Sequence, residues 1–184
     1  MSTEPTVRRA TRRYLMYGLL PAWFVPGIAD WVMHRRTRIE DTSGTRESLL
    51  HSLMMLEVGV PLLGGLLLRI DRRVFGFMAC AALAHEATAV WDVRVAYDSP
   101  REVRPAEQHI HSFLESLPFT ALAAVACLHW DDVRSPDGGV HEKRPPLPTP
   151  YVAAILTAVG AFVALPYGEE LLRCVRAERR RAHS

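Results

Sequence analysis

Three acidic residues of the chain are each followed by a histidine four positions later: Asp30 and His34, Glu47 and His51, Glu107 and His111. Residues four apart on an α-helix stand one turn apart on the same face, so each pair would present a carboxylate beside an imidazole. Glu115 continues the third pair for another turn, and His85 and Asp92 are seven residues apart, which again places them on one face. Four helices could therefore each carry a carboxylate and an imidazole on one side.

Carboxylate and imidazole together are the ligand set of iron, manganese or zinc. The three cysteines, Cys80, Cys127 and Cys174, are far apart and form no Cys-x-x-Cys pair, which disfavours copper(I), an iron–sulfur cluster and a disulfide framework. The sequence predicts a transition-metal cofactor, with iron preferred, room for two ions, and manganese or zinc as alternatives. The candidate ligands are Asp30, His34, Glu47, His51, His85, Asp92, Glu107, His111 and Glu115.

Two further residues are candidates for tuning the metal or moving protons. Glu86 is adjacent to His85, and His109 is two residues from His111, so on a regular helix His109 would point away from its neighbour. We assign both a catalytic role as an expectation. A histidine that binds a metal usually needs its other nitrogen held by a carboxylate or a carbonyl, so some of the acids are expected to orient ligands rather than to bind.

Five apolar stretches separate these polar residues, near 14–34, 49–68, 74–97, 110–130 and 151–172. A hydrocarbon core about 30 Å thick requires about 20 helical residues, which is the length of each stretch. The mean hydropathy of only +0.03 arises because these stretches alternate with segments rich in Arg, Asp, Glu and Pro. The sequence predicts an all-α fold, an integral-membrane bundle of about five transmembrane helices that forms a single domain over residues 1–184. Pro21 and Pro26 predict a kink in the first span.

The order of the helices determines where the polar residues meet. In an antiparallel bundle, the end of one span lies beside the start of the next, so Asp30, Glu47, Asp92 and Glu107 fall at the same membrane face with their histidines. Glu169 and Glu170, at the end of the fifth span, fall there too. Charged side chains within spans cost about 2.5–3.5 kcal/mol each for Asp, Lys or Arg, which makes such a concentration a functional hypothesis.

Positive charge offers a structural alternative for the same residues. The acids could be neutralised by nearby arginines in a buried network that only holds the spans together; the arginines close enough in sequence are Arg35, Arg36, Arg38, Arg94 and Arg104. The 22 Lys and Arg residues lie between and outside the apolar stretches rather than on one face, which does not favour nucleic acid as a partner. The arginines before the first span and at the end of the chain are typical of anchors to anionic lipid.

Three strings carry a resemblance to known proteins: IADWVMHRRTRIEDTSGTRESLLH, AHEATAVWDVR and EQHIHSFLESLPF. The chain resembles, over most of residues 20–170, a family of small bacterial polytopic membrane proteins whose members often carry the label diguanylate cyclase. The Gly-Gly-acidic-Glu-Phe signature of those cyclases does not occur, since Gly138 and Gly139 are followed by Val140 and His141. A weaker similarity is to the integral-membrane di-iron hydroxylases and desaturases, although their His-x-x-x-His and His-x-x-His-His boxes are missing.

The leading functional prediction is a metal-dependent membrane oxidoreductase, with two irons, that acts on a lipid or another apolar substrate in the bacterial inner membrane. Its partners would be membrane lipid and an electron donor. A proton- or metal-ion-coupled transporter is the second hypothesis, because acids and histidines within spans also form ion paths. A structural membrane subunit is the third. The sequence leaves open the substrate, the oligomeric state and which face is cytoplasmic.

Overall fold

The computed structural model describes residues 4–99, 104–136 and 138–183. Helix α1 comprises Glu4–Tyr14, a π-helical turn at Leu15–Leu19, a short piece at Leu20–Ala22 and the segment Phe24–Thr37. Helices α2, α3 and α4 are Gly44–Leu67, Arg72–Tyr97 and Pro105–Arg134. Helix α5 comprises Thr149–Val159, a π-helical turn at Gly160–Ala164 and Leu165–Ala182. The five predicted spans fall on these five helices.

All five helices are long and apolar enough to cross a membrane, and many of their large apolar side chains are exposed. On α2 the exposed residues Leu49, Leu53, Leu56, Val60, Leu63 and Leu67 recur every three or four positions and form a continuous stripe. In water such a stripe would be costly, whereas in lipid it is the surface that contacts acyl chains. The prediction of an all-α integral-membrane bundle is confirmed, and the chain is an integral membrane protein.

Prolines explain two irregular turns in the first and last helices. Pro21 and Pro166 lack an N–H and cannot hydrogen-bond to the carbonyls of Tyr17 and Phe162, four residues earlier. Each of these carbonyls belongs to a π-helical turn, Leu15–Leu19 in α1 and Gly160–Ala164 in α5. The wider turn lets the helix continue past the proline. Helix α1 is interrupted again at Trp23, in line with the irregularity predicted for this span.

Helix α2 packs against α3 through a short link and against the second half of α5, while α1 and α3 both pack against α4. At the link, the Asp71 carboxylate accepts hydrogen bonds from the backbone N–H groups of Arg73 and Val74, and so caps α3. Its other oxygen accepts from the N–H of Gly139. Burial alone would raise the pKa of Asp71, but these three amide donors hold it below its ordinary value.

The segment 138–148 closes this end of the bundle. The N–H of Arg69 donates to the carbonyl of His141 over 2.8 Å, and the N–H of Lys143 donates to the carbonyl of Leu67 over 2.9 Å. At the opposite end, α1 turns into α2 through Arg38 and Gly44, both in the left-handed region with φ of 55° and 66°. The second end is the one that carries the polar site.

Candidate metal centre

Each of the five helices contributes at least one buried polar side chain to a single cluster. Helix α1 supplies Asp30 and His34, α2 supplies Glu47 and His51, α3 supplies Asp92, α4 supplies Glu107 and His111, and α5 supplies Tyr167 and Glu170. His34, Glu47, Glu107 and Glu170 are 0% exposed. The cluster lies where the end of α1 meets the start of α2, the end of α3, the start of α4 and the second half of α5, as antiparallel packing requires.

Two stacked imidazoles form the centre of the cluster. The rings of His34 and His51 lie with centroids 4.5 Å apart and planes within 2° of parallel. One carboxylate holds both of them, because Glu170 places one oxygen 3.0 Å from Nδ1 of His34 and the other 2.8 Å from Nδ1 of His51. Glu170 therefore fixes the orientation of both rings and directs both Nε2 atoms to the same side.

Carboxylates surround those two Nε2 atoms. Nε2 of His34 lies 3.5 Å from Asp30, 3.7 Å from Glu107 and 4.0 Å from Glu47. Nε2 of His51 lies 3.3 Å from Asp92. Neither Nε2 atom makes a hydrogen bond to the part of the chain that the structure describes. Ligand atoms spaced in this way face one another across positions where a cation can sit.

Asp30 links the stacked pair to two further groups. Its Oδ1 lies 2.8 Å from Nε2 of His111, and its Oδ2 accepts a hydrogen bond of 3.0 Å from the Tyr167 hydroxyl. That hydroxyl is also 3.2 Å from the carbonyl of Gly27. Tyr167 is 4% exposed, so its hydroxyl acts as a buried donor that restricts the Asp30 carboxylate.

Three groups within the cluster have ligand atoms that all lie within 4.8 Å of one another: Asp30, His34 and His111; His34, His51 and Glu170; and Glu47, His51 and Asp92. A small cavity of about 20 Å³ lies alongside them, lined by Asp30, His51, Asp92, His111, Glu115 and Tyr167. A void of that size holds a water molecule or an ion and little more. The space and the ligand atoms are therefore present together.

The arginines proposed as neutralising partners point elsewhere. Arg36, Arg94 and Arg104 are exposed, Arg35 pairs with Glu169 at 4.0 Å, and Arg38 pairs with Asp41 at 2.7 Å. Within the described residues, the ion pairs of Asp30, Asp92 and Glu170 are all to histidines. In the part of the chain that the structure describes, no arginine pairs with Asp30, Asp92 or Glu170, which weakens the purely structural alternative for these three acids.

The structure brings seven of the nine candidate ligands into the cluster: Asp30, His34, Glu47, His51, Asp92, Glu107 and His111. Glu115 is half-buried and lines the small cavity, with Glu86 near it at the edge of the site. His85 lies outside the cluster, where its Nδ1 is 3.9 Å from Glu57. His109 is exposed and packs edge-on against Phe113, so the structure does not place it at the site.

Two residues of the cluster were not among the candidates. Glu170 was expected at the same membrane face but was not assigned as a site residue, and Tyr167 was not considered. They are three residues apart, a spacing that puts both on one face of α5. That spacing could have identified the pair from the sequence. Helix α5 contains no histidine, however, so nothing in its sequence pointed to a metal ligand.

The chain matches no described protein family, no curated protein and no solved structure. The resemblance drawn from the three sequence strings stays a prediction. Function must therefore be argued from the chemistry of the cluster.

Proposed function

We propose that the cluster is a dinuclear transition-metal centre, with iron as the metal, in an oxidoreductase of the bacterial inner membrane that acts on a lipid or another apolar substrate. The observation that carries the proposal is the double hydrogen bond of Glu170 to Nδ1 of His34 and of His51. Metal-binding histidines usually donate their second N–H to a carboxylate, which fixes the tautomer and strengthens the ligand. Here one carboxylate does this for two imidazoles at once.

The ligand atoms divide between two positions. Nε2 of His34 would bind one ion with Asp30, Glu107 and His111, and Nε2 of His51 would bind the other with Asp92. Glu47 lies near both, 4.0 Å from Nε2 of His34 and in one group with His51 and Asp92, so it is suited to bridge them. Paired catalytic metals stand about 3.5–4 Å apart, a separation similar to the 4.5 Å between the stacked rings.

Charge supports two divalent ions over a metal-free cluster. Asp30, Asp92 and Glu170 place three carboxylates in one buried region, and within the described residues their ion pairs are to histidines alone. Ionised carboxylates buried without compensation are strongly disfavoured, and buried charges in proteins are generally paired or bound to metal. Divalent ions would supply the positive charge that these three carboxylates need and would leave the imidazoles neutral, which is the form that binds metal.

The balance of ligand types favours iron and oxygen chemistry. Carboxylates outnumber imidazoles in the cluster, as they do in the soluble di-iron bundles, where the ligands also project inward from several helices. In such a reaction, O₂ takes two electrons from the substrate and two from a separate donor, and leaves as water or partly in the product. The electron donor is therefore a required partner of the proposed enzyme.

Ion transport is a second candidate because polar groups continue below the cluster. Thr88 donates a hydrogen bond of 2.9 Å to Glu57, and His85 lies beside Glu57 deeper in the bundle. Beyond Glu57, however, the space is walled by apolar residues, among them Val58, Leu62 and Val125. A path for ions would need polar groups there, so the arrangement fits an enzyme better.

The test compares two adjacent glutamates. We expect the protein purified in detergent to contain two transition-metal ions per chain by elemental analysis. Glu170→Gln should weaken metal binding about 10–100-fold, since the carboxylate that orients both histidines is lost. Glu169→Gln is the matched control, because Glu169 is partly exposed and hydrogen-bonds to Trp31 rather than to the histidines.

The proposal is wrong if the purified protein holds no transition metal and gains none when iron is added. The proposed oxidoreductase activity is wrong if the iron-loaded protein consumes no oxygen when a chemical reductant and membrane lipid are present. Proton or metal-ion uptake by proteoliposomes, abolished in Glu57→Gln, would favour the transporter instead.

A further inference from the structure

A second and much larger cavity occupies the other half of the bundle. Its volume is about 800 Å³, within the range of pockets that enclose small ligands. Its lining follows α2 from Leu66 to Glu57, nine helical residues and therefore about 14 Å. That depth is close to one leaflet of a hydrocarbon core about 30 Å thick. The cavity thus has the dimensions of a site for a lipid chain.

The two ends of this cavity differ in chemistry. Cations form the mouth, at the membrane face opposite the metal centre: Arg8, Arg9, Arg12, Arg69, Lys143 and Arg144. The walls below are apolar, with Leu62 from α2 and Leu122 and Val125 from α4. A charged mouth above an apolar shaft matches a molecule that has an anionic headgroup and a hydrocarbon tail.

Several cations at the mouth have no acidic partner among the described residues. Within the described residues, Arg8, Arg12 and Arg144 form no ion pair, whereas Arg69 pairs with Asp132 at 2.7 Å. The Lys143 ammonium donates to the carbonyl of Gly65, and its pKa is lowered by burial and by the charge of Arg12. Like charges held this close leave an anion binding site open between them.

The deep end of the cavity leads towards the metal centre. Glu57, Ala82 and Pro118 line it there. Next comes His85, beside Glu57 and against the backbone of Met54 and Leu114. Met54 and Leu114 in turn line the small cavity at the metal cluster. His85, Met54 and Leu114 therefore lie between the end of the large cavity and the small cavity at the cluster.

We infer that the large cavity binds one anionic phospholipid, whose phosphate lies at Arg8, Arg12 and Arg144 and whose acyl chain runs down to Glu57, and that this lipid is the substrate of the metal centre. The second half of this statement rests on the proposed function. Arginine suits the headgroup because its planar group donates two parallel hydrogen bonds to a phosphate. The chain end, rather than the headgroup, would be the part of the lipid nearest to the metals.

Native mass spectrometry tests the binding on metal-depleted protein in a non-ionic detergent. We expect phosphatidylglycerol to bind with a stoichiometry of one per chain, more tightly than phosphatidylcholine. Inorganic phosphate alone should not displace it, because phosphate cannot fill the apolar shaft. The double variant Arg8→Gln/Arg12→Gln should weaken binding about 30-fold. Arg13→Gln/Arg72→Gln removes the same charge from exposed positions that do not line the cavity, and should bind as the wild type does.

A pair of alanines on α4 tests the apolar shaft. Ala121 lines the cavity and Ala123 is exposed on the same helix. Ala121→Phe should reduce phosphatidylglycerol binding at least tenfold, since the ring occupies the volume of the chain, whereas Ala123→Phe should have no effect. Thermal midpoints of the two variants establish that both are folded.

The inference is overturned if phosphatidylglycerol and phosphatidylcholine bind equally, or if the cavity variants behave as their controls do. Displacement by inorganic phosphate would show a simple anion site instead. Metal content, measured on the same preparations, separates the two proposals: lipid binding without metal refutes the metal centre alone, and metal without specific lipid binding refutes the lipid site alone. If both bind but the bound lipid is recovered chemically unchanged after turnover with reductant and oxygen, the cavity lipid is not the substrate.

Discussion

Helical spacing identified most of the cluster, because a period of 3.6 residues fixes the direction in which a side chain points. The spacing does not determine how deep along the helix axis a side chain lies. His85 and Asp92 share a face of α3, but seven residues correspond to about 10 Å of rise, so His85 lies too deep to join the cluster. Glu170 was missed for another reason. Its partners, His34 and His51, are more than a hundred residues away, and only the packed bundle shows that its carboxylate lies between their rings.

Two histidines on α4 give a direct test at the residue scale. His111 contacts Asp30 within the cluster, whereas His109 is exposed against Phe113. We expect His111→Ala to lower the metal content by one ion per chain or to weaken the metal affinity at least tenfold. His109→Ala should leave the metal content at the wild-type level. Elemental analysis of the two purified variants decides this. Equal losses in both would show that the cluster is not the metal site.

The helices themselves were predictable because each apolar stretch has the length that a bilayer requires. The ends of the helices were not predictable, because polar residues outside the hydrocarbon core continue the helix. In α5 these residues are Arg179, Arg180 and Arg181. The π-helical turns of α1 and α5 also escaped prediction. A proline predicts a disturbed helix, but whether the helix kinks or widens depends on which neighbouring groups donate a hydrogen bond to the freed carbonyl.

The cap of α3 carries a prediction at the scale of the element. Asp71→Ala removes the acceptor for three backbone N–H groups, so we expect a loss of about 0.5–2 kcal/mol in stability. Because the folded pKa of Asp71 is lowered, its contribution is complete above the unfolded value near 3.8 and is lost as pH falls through the folded value. Thermal midpoints in detergent should therefore differ between wild type and variant at neutral pH and begin to converge below about pH 4.

Asp98→Ala is the control for this prediction. Asp98 is exposed at the other end of the same helix, where a negative charge opposes the helix dipole. Its removal should leave the midpoint unchanged or raise it slightly. A difference between wild type and Asp71→Ala that does not change between pH 7 and pH 3 would show that the cap does not depend on the ionised carboxylate.

At the scale of the whole molecule, the two ends of the bundle are held together in different ways. One end is closed by the segment 138–148 and its backbone hydrogen bonds. The other end gathers side chains from all five helices around carboxylates that repel one another. Metal would turn that repulsion into attraction, so the ions should stabilise the entire fold rather than one helix. A ligand that binds only the folded protein at about 1,000 times its Kd adds about 4 kcal/mol.

Metal removal should therefore lower the thermal midpoint of unfolding in detergent, and adding iron or manganese to the metal-free protein should restore it. Calcium is the control ion, because its oxygen-only preference suits the carboxylates but not Nε2 of His34 and His51. We expect calcium to raise the midpoint much less than iron does. In Glu170→Gln, iron should raise the thermal midpoint less than it does in the wild type, because the two imidazoles lose the carboxylate that orients them. If neither chelation nor iron changes the thermal midpoint of the wild type, the cluster is stable without metal and the proposed metal centre is wrong.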